Sequence, residues 1–181
     1  MMNMNSKSFS LEPFSPTGPL PYSITGQLAR KADTLVVRYA LRGPMAGLVI
    51  APPADLPARR HGLWEETCLE FFLAPKDSPR YWEFNLSPAG HWNVYRFQAY
   101  RQGMAEEAAF ASLPFRVQRR RDSLVLHLEL DLGRIFPAGR RLEAAIAAVI
   151  KAREGQVTYW ALAHPGSRPD FHRRDGFVIE L

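Results

Sequence analysis

Between Trp64 and Arg101 the chain sets acids, amides and an arginine among tryptophan, tyrosine and phenylalanine. The stretch reads WEETCLEFFL, a short proline-broken turn, then YWEFNLSPAGHWNVYRFQAYR. Carboxylates accept hydrogen bonds, amides donate and accept, and guanidinium only donates. Aromatic rings beside them add apolar faces. Such a mixture suits a polar ligand with apolar faces, for which a sugar ring is the plainest example. If Leu69, Phe71 and Leu73 face a core, strand alternation turns Cys68, Glu70 and Phe72 the other way. Glu70 could then accept two hydroxyl hydrogen bonds while Trp64 stacks on the C–H face of the ring. The competing reading makes Trp64 an end plug and pairs Glu70 with an arginine across the sheet. In the hairpin Tyr81–Tyr100, placing Trp82, Phe84 and Leu86 inward turns Tyr81, Glu83, Asn85 and Ser87 outward. The return strand splits into Trp92, Val94, Arg96, Gln98 and Asn93, Tyr95, Phe97, Ala99, and neither set is cleanly apolar. Asn85 and Arg96 are the polar side chains expected to touch a ligand; an Arg96–Glu83 ion pair is the structural alternative.

A third cluster lies in YWALAHPGSRPDFHRRDGF (Tyr159–Phe177), where His164 leaves a strand and Asp170, His172 and Asp175 follow in a loop. His and Asp at short spacing can hold a metal, calcium being favoured if only oxygens ligate. The spacing matches no zinc motif, and Asp also serves local turns. No G-x-S-x-G and no phosphate-cradling glycine loop is present. Cys68, the single cysteine, falls mid-strand, away from the electropositive setting of a nucleophile. Glu65, Glu66, Glu70 and Glu83 could supply the two carboxylates of glycoside hydrolysis, but nothing sets their separation. His61, His91, His127, His164 and His172, with Met104, leave haem ligation open.

These groups need a scaffold, and the pattern of the chain supplies one. Strand-like runs recur at Tyr22–Ala29, Thr34–Leu41, Gly47–Ala51, Thr67–Leu73, Tyr81–Ser87, Trp92–Tyr100, Phe115–Arg121, Ser123–Leu130, Leu142–Ala152, Val157–Ala163 and Phe177–Leu181, separated by turn residues. Many short strands with little helix predict an all-β, two-sheet antiparallel β-sandwich of immunoglobulin or jelly-roll type. The run Leu142–Glu154 has helical propensity, but its place before a Gly-containing turn and a strong strand makes it a strand. One or two short helices are expected, at Leu132–Phe136 after Asp131 and within GMAEEAAFASL. Residues 1–21, rich in Pro, Ser and Met, read as a loose lead-in, and 22–181 as one domain. The 181 residues carry a net charge of +5, but the arginines are scattered. Nucleic acid is therefore not an expected partner. No run reaches the length of a membrane span or signal-peptide core, which predicts a cytoplasmic protein.

The segments LWEETCLEFFLAP, YWEFNLSPAGHWNVYRF and TYWALAHPGSRPDFH resemble DOMON-like domains, and within them the family-9 carbohydrate-binding modules and their uncharacterised bacterial relatives. The resemblance spans Tyr22 to Leu181 and is most specific at Trp64, Glu66, Thr67 and Glu70. It implies a two-sheet sandwich in which two tryptophans clamp a sugar whose hydroxyls bond Glu, Asn and Arg. Carried onto this chain, Trp64, Glu66 and Glu70 match by spacing and Trp160 becomes the second wall. Asn85, Arg96 and His164 complete the expected ligand-binding set. The resulting expectation is a non-catalytic domain that binds a carbohydrate or a sugar-containing metabolite. Haem-binding or electron-transfer DOMON function, a glycan-processing enzyme and a protein-binding aromatic face remain as alternatives. Calcium or haem are the cofactors in question.

Overall fold

The computed structural model describes residues 5–16 and 18–181. Its strands are β1 (Asn5–Pro13), β2 (Ser23–Lys31), β3 (Thr34–Arg42), β4 (Cys68–Pro75), β5 (Tyr81–Leu86), β6 (Trp92–Phe97), β7 (Ala105–Glu106), β8 (Phe115–Arg119), β9 (Ser123–Asp131), β10 (Leu142–Lys151), β11 (Val157–Ala161) and β12 (Ile179–Glu180). All pair antiparallel, in the order β7-β6-β5-β4-β10-β11-β1-β2-β3-β9-β8, with β12 beside β10. Among the described residues helix is confined to single 3-10 turns, and none is long and apolar enough to cross a membrane. The architecture is the all-β antiparallel sandwich expected.

The path curls into two layers because β1 serves both. Asn5–Leu11 pair β2, whereas Glu12 and Pro13 pair Ala161 and Trp160 of β11. This corrects the reading of residues 1–21 as a loose lead-in; residues 1–4 and 17 lie outside the described residues. Phe9 and Leu11 sit in the core, between Ser8, Ser10 and Glu12. That is a period-two signal which the surrounding proline and serine obscured. Opposite Phe9 stands Gly26, where an added Cβ would lie 2.4 Å from the Phe9 ring and 2.0 Å from the Arg38 carbonyl oxygen.

Between the layers lies the main core, drawing Leu28, Val37, Tyr39 and Leu126 from one side and Phe71, Phe84, Ile146 and Trp160 from the other. Both edges of β10 are paired, with β4 on one side and with β11 and β12 on the other. Both of its faces are buried too, so the alanine-rich run becomes a strand despite its helical propensity. The segment GMAEEAAFASL forms no helix. Ala105 and Glu106 pair β6, Phe110 and Leu113 enter the core, and Glu107 accepts from the Trp82 indole at 2.9 Å. These anchors require an extended path, and tertiary contact overrides local propensity. Near Gly47–Ala51 the chain makes a 3-10 turn at Met45–Gly47 and a single bridge from Leu48 to Ala152 instead of a strand. The expected turn after Asp131 is present, with the Asp131 carboxylate accepting from Gly133 N at 2.9 Å.

The second layer has a further buried face on its outer side. Phe72, Tyr81, Tyr95, Phe97, Ala145, Ala147 and Ala161 lie there, covered by Phe177, Trp64 and Phe171. The C-terminal loop after β11 and the turn at Leu63–Glu65 roof this face. Small alanines on β10 and β11 lie among large aromatics on β4, β5 and β6, and this face carries a hollow. That hollow contains the site.

Candidate functional site

Strand register decides which side chains share the hollow. Glu70 pairs with Asn85 and Ala147, Glu83 with Phe72 and Tyr95, and Val149 with Cys68 and Tyr159. Residues directly opposite project to the same face. Glu70, Glu83, Asn85, Asn93, Tyr95, Phe97, Val149 and Tyr159 therefore all point outward. Glu70 and Glu83 are diagonal neighbours on adjacent strands. Loops complete a pocket of about 360 Å³: Trp64 on one side, Arg101 and Met104 from the loop after β6, and Pro169, Asp170, Phe171 and His172 from the C-terminal loop. Its volume falls within the small-ligand range.

The acidic floor is held from behind. The Tyr39 hydroxyl, on the opposite layer, crosses the core and donates to the Glu70 carbonyl oxygen. Glu70 itself is 3% exposed, and its Oε1 has no hydrogen-bond partner within the protein. Burial, reinforced by the nearby Glu83, pushes the Glu70 carboxyl well above the usual range. Glu83 is also pushed up, to about 7, chiefly by burial; the Asn85 amide, donating to Oε1 at 2.8 Å, and the Arg101 charge work against the rise. Burial lowers His172 to about 4. A neutral His172 can accept the Tyr81 hydroxyl at Nδ1, 2.9 Å away, with its Nε2 3.8 Å from Glu83 Oε2.

At the rim, Arg101 adopts φ +53°, and its backbone N–H donates to the Tyr81 hydroxyl at 3.1 Å. A non-glycine residue in this left-handed region carries strain, which surrounding contacts must hold. Its guanidinium donates to Asp170 Oδ1 at 2.9 Å, and the Tyr100 hydroxyl donates to Asp170 Oδ2. The rim cation is thereby neutralised by a carboxylate of its own. Trp64 packs edge-on against Tyr95, with centroids 6.0 Å apart, and Tyr159 against Phe171 at 6.2 Å. Two aromatics thus border the hollow, both with surface left open to solvent.

Of the residues expected from sequence, Trp64 and Glu70 meet in the pocket, and so do Asp170 and His172 in a different capacity. Trp160 does not form the second wall. It is 3% exposed in the main core, its indole donating to Thr158 Oγ1 at 2.9 Å, and its neighbour Tyr159 borders the pocket instead. Trp160 pairs with Pro13 and Ala148, which fixes the phase of β11. Arg96 stands opposite Trp82 on the other face, exposed and away from Glu83. Asn85 is fully buried and supports Glu83 without lining the pocket. Glu66 points into solvent after the Leu63–Glu65 turn, and His164 bonds the Glu12 carbonyl oxygen at 2.8 Å, outside the pocket.

The proposed metal trio is dispersed: Asp170 serves Tyr100 and Arg101, His172 faces Tyr81 and Glu83, and Asp175 pairs with Arg173 on the surface. Among the described residues no group of three or more His, Cys, Asp or Glu gathers to hold a metal. The pocket does bring together Met104 and His172, the residue types of a haem site. However, both His172 ring nitrogens face protein groups, which leaves neither directed at an iron. None of residues 52–63 fills the hollow. Arg59 staples that loop to the β6 edge instead, donating to Asn93 Oδ1 at 2.7 Å and to the Glu107 and Phe110 carbonyl oxygens at 2.9 and 2.7 Å.

Comparison with solved structures adds to this geometry. The structure of a "putative carbohydrate-binding protein" from Bacteroides uniformis superposes with a TM-score of 0.67 at 15% identity, over 92% of this chain and 83% of that one. A carbohydrate-binding module of family 9 from Caldicellulosiruptor kristjanssonii, solved in complex with glucose, superposes with a TM-score of 0.53 at 11% identity, over 83% and 72%. This chain shares their fold. No protein-family model matches the sequence, and no curated protein matches it at a significant level. At these identities the likeness concerns the sandwich, and the chemistry must be argued from the pocket.

Proposed function

We propose that this chain is a carbohydrate-binding domain whose ligand enters the hollow on the outer face of β4, β5, β6, β10 and β11. The observation that carries the reading is Glu70 Oε1, a buried acceptor without a protein partner, at the floor of an aromatic-bordered pocket. Leaving such a group unpaired costs about 1–3 kcal/mol, so a ligand that donates hydrogen bonds to this carboxyl group is favoured. A sugar hydroxyl is such a donor. The ring's C–H faces would lie against Trp64 and Tyr159, and the volume suits one sugar unit better than an enclosed chain. The fold shared with a glucose-bound family-9 module supports this reading.

The reading is of binding without hydrolysis. A glycosidase needs two carboxyl groups flanking the scissile bond. Glu70 and Glu83 instead stand side by side on one sheet face, so both approach a ligand from below.

A glycan array and calorimetry with single sugars test the proposal, using wild type, Trp64→Ala and Glu70→Gln. Saturable binding to a sugar class, weakened about tenfold or more in both folded variants, is the expected result. Binding that survives unchanged in both variants overturns the site. With added haemin, the same sample should keep the Soret band of free haemin, without the shift and sharpening that axial ligation by the protein would give.

A further inference from the structure

We propose that the pocket selects an amino sugar, with the ligand's ammonium group received by Glu70 and its ring held between Trp64 and Tyr159. This rests on the carbohydrate reading and narrows it to a substrate class. Two buried carboxyl groups on adjacent strands form the floor, and the protein supplies Glu70 with no counter-charge. The cation at the rim is already committed: Arg101 donates to Asp170 at 2.9 Å. His172, the other basic group lining the pocket, is kept neutral by burial and faces Tyr81 and Glu83. Glu83 has the Asn85 amide on Oε1, but Oε1 of Glu70 has no partner.

A neutral sugar can hydrogen-bond the Glu70 carboxyl, which burial and the nearby Glu83 bias towards its protonated form, but it brings no positive charge that would let this carboxyl ionise. An ammonium group brings three donors and that charge together, and hydrogen bonds between ionised partners are roughly twice as strong as neutral ones. The surroundings suit it as well. Trp64, Tyr159 and Phe97 present aromatic surface around the hollow, and ring faces attract cations. N-acetylation would remove the charge and add bulk beside Val149. A metal ion fits less well, since two carboxyl groups fall short of the six or more oxygens calcium takes.

Calorimetry near neutral pH with D-glucosamine, N-acetyl-D-glucosamine and D-glucose, and with the matching galactose series, tests the proposal. In at least one series the amino sugar should bind about tenfold more tightly than its neutral parent, and the N-acetyl form more weakly than the amino form. In Glu70→Gln, its folding checked by near-ultraviolet circular dichroism, the ratio between amino and neutral sugar should fall towards one. Neutral parents that bind as well as the amino sugars overturn this proposal and leave the carbohydrate reading standing. A preference that persists in folded Glu70→Gln removes Glu70 from the role. Binding of no sugar in either series overturns this proposal, and the carbohydrate reading falls with it if the glycan array is also blank.

Discussion

Replacing Glu83 by Gln should stabilise the protein, and by an amount that depends on pH. Glu83 is 5% exposed, and its carboxyl group rises from an ordinary value of 4.5 to about 7 on folding. Because the folded-state value is raised, the native state keeps a proton that the unfolded chain releases. The associated stability is fully present below pH 4.5 and is lost as the pH rises through 7. At 1.36 kcal/mol per pH unit, the ionised residue lowers stability by roughly 3 kcal/mol at alkaline pH. Gln has no charge to desolvate and keeps an oxygen that can accept from Asn85 Nδ2. The variant should therefore match wild type near pH 4.5 and exceed it by roughly 3 kcal/mol near pH 8. His172 contributes in the opposite sense. Its value is lowered from 6.5 to about 4, so its contribution is present above pH 6.5 and is lost as the pH falls through 4. In wild type this partly hides the Glu83 slope, whereas in the difference between the two proteins it largely cancels. Urea unfolding followed by tryptophan fluorescence at the two pH values measures that difference. An equal difference at both, or a less stable variant at pH 8, would refute the burial argument. A destabilising acid retained in a pocket is the usual trade of stability for binding.

Trp160→Phe should leave sugar affinity unchanged and lower stability by about 1 kcal/mol, since it removes the indole bond to Thr158 inside the core; affinity lost in the folded variant would restore Trp160 to the site. Gly26→Ala should destabilise by roughly 1–3 kcal/mol or more, because its Cβ meets Phe9 and the Arg38 carbonyl. A variant as stable as wild type in urea would mean that β1 gives way easily.

Sequence alone determined the class of fold. Alternation of large apolar residues with polar ones is a local property, and the runs at Thr34–Leu41, Tyr81–Ser87 and Ser123–Leu130 became strands without any knowledge of their neighbours. It also placed Glu70 on the outward face of β4, since the apolar set Leu69, Phe71 and Leu73 leaves the other phase one direction. Beyond that the pattern was ambiguous. In Val157–Ala163 the adjacent Tyr159 and Trp160 both suit a stacking wall, and a shift of one residue exchanges their faces. Pairing of Trp160 with Pro13 of β1, in a segment that reads as a lead-in, decided between them. On the return strand of the hairpin, pairing with β5 sent Asn93 and Tyr95 outward and Arg96 to the other face, where composition left both sets open.

Arg101, Met104 and Phe171 lie on loops, where no period marks direction. Only the closing of the β6 loop and the C-terminal loop over the alanines of β10 and β11 brings them to Glu70. Chemistry-bearing residue types can be read one at a time from sequence. Which of them face each other depends on the register of strands distant in the chain, and that is a tertiary property.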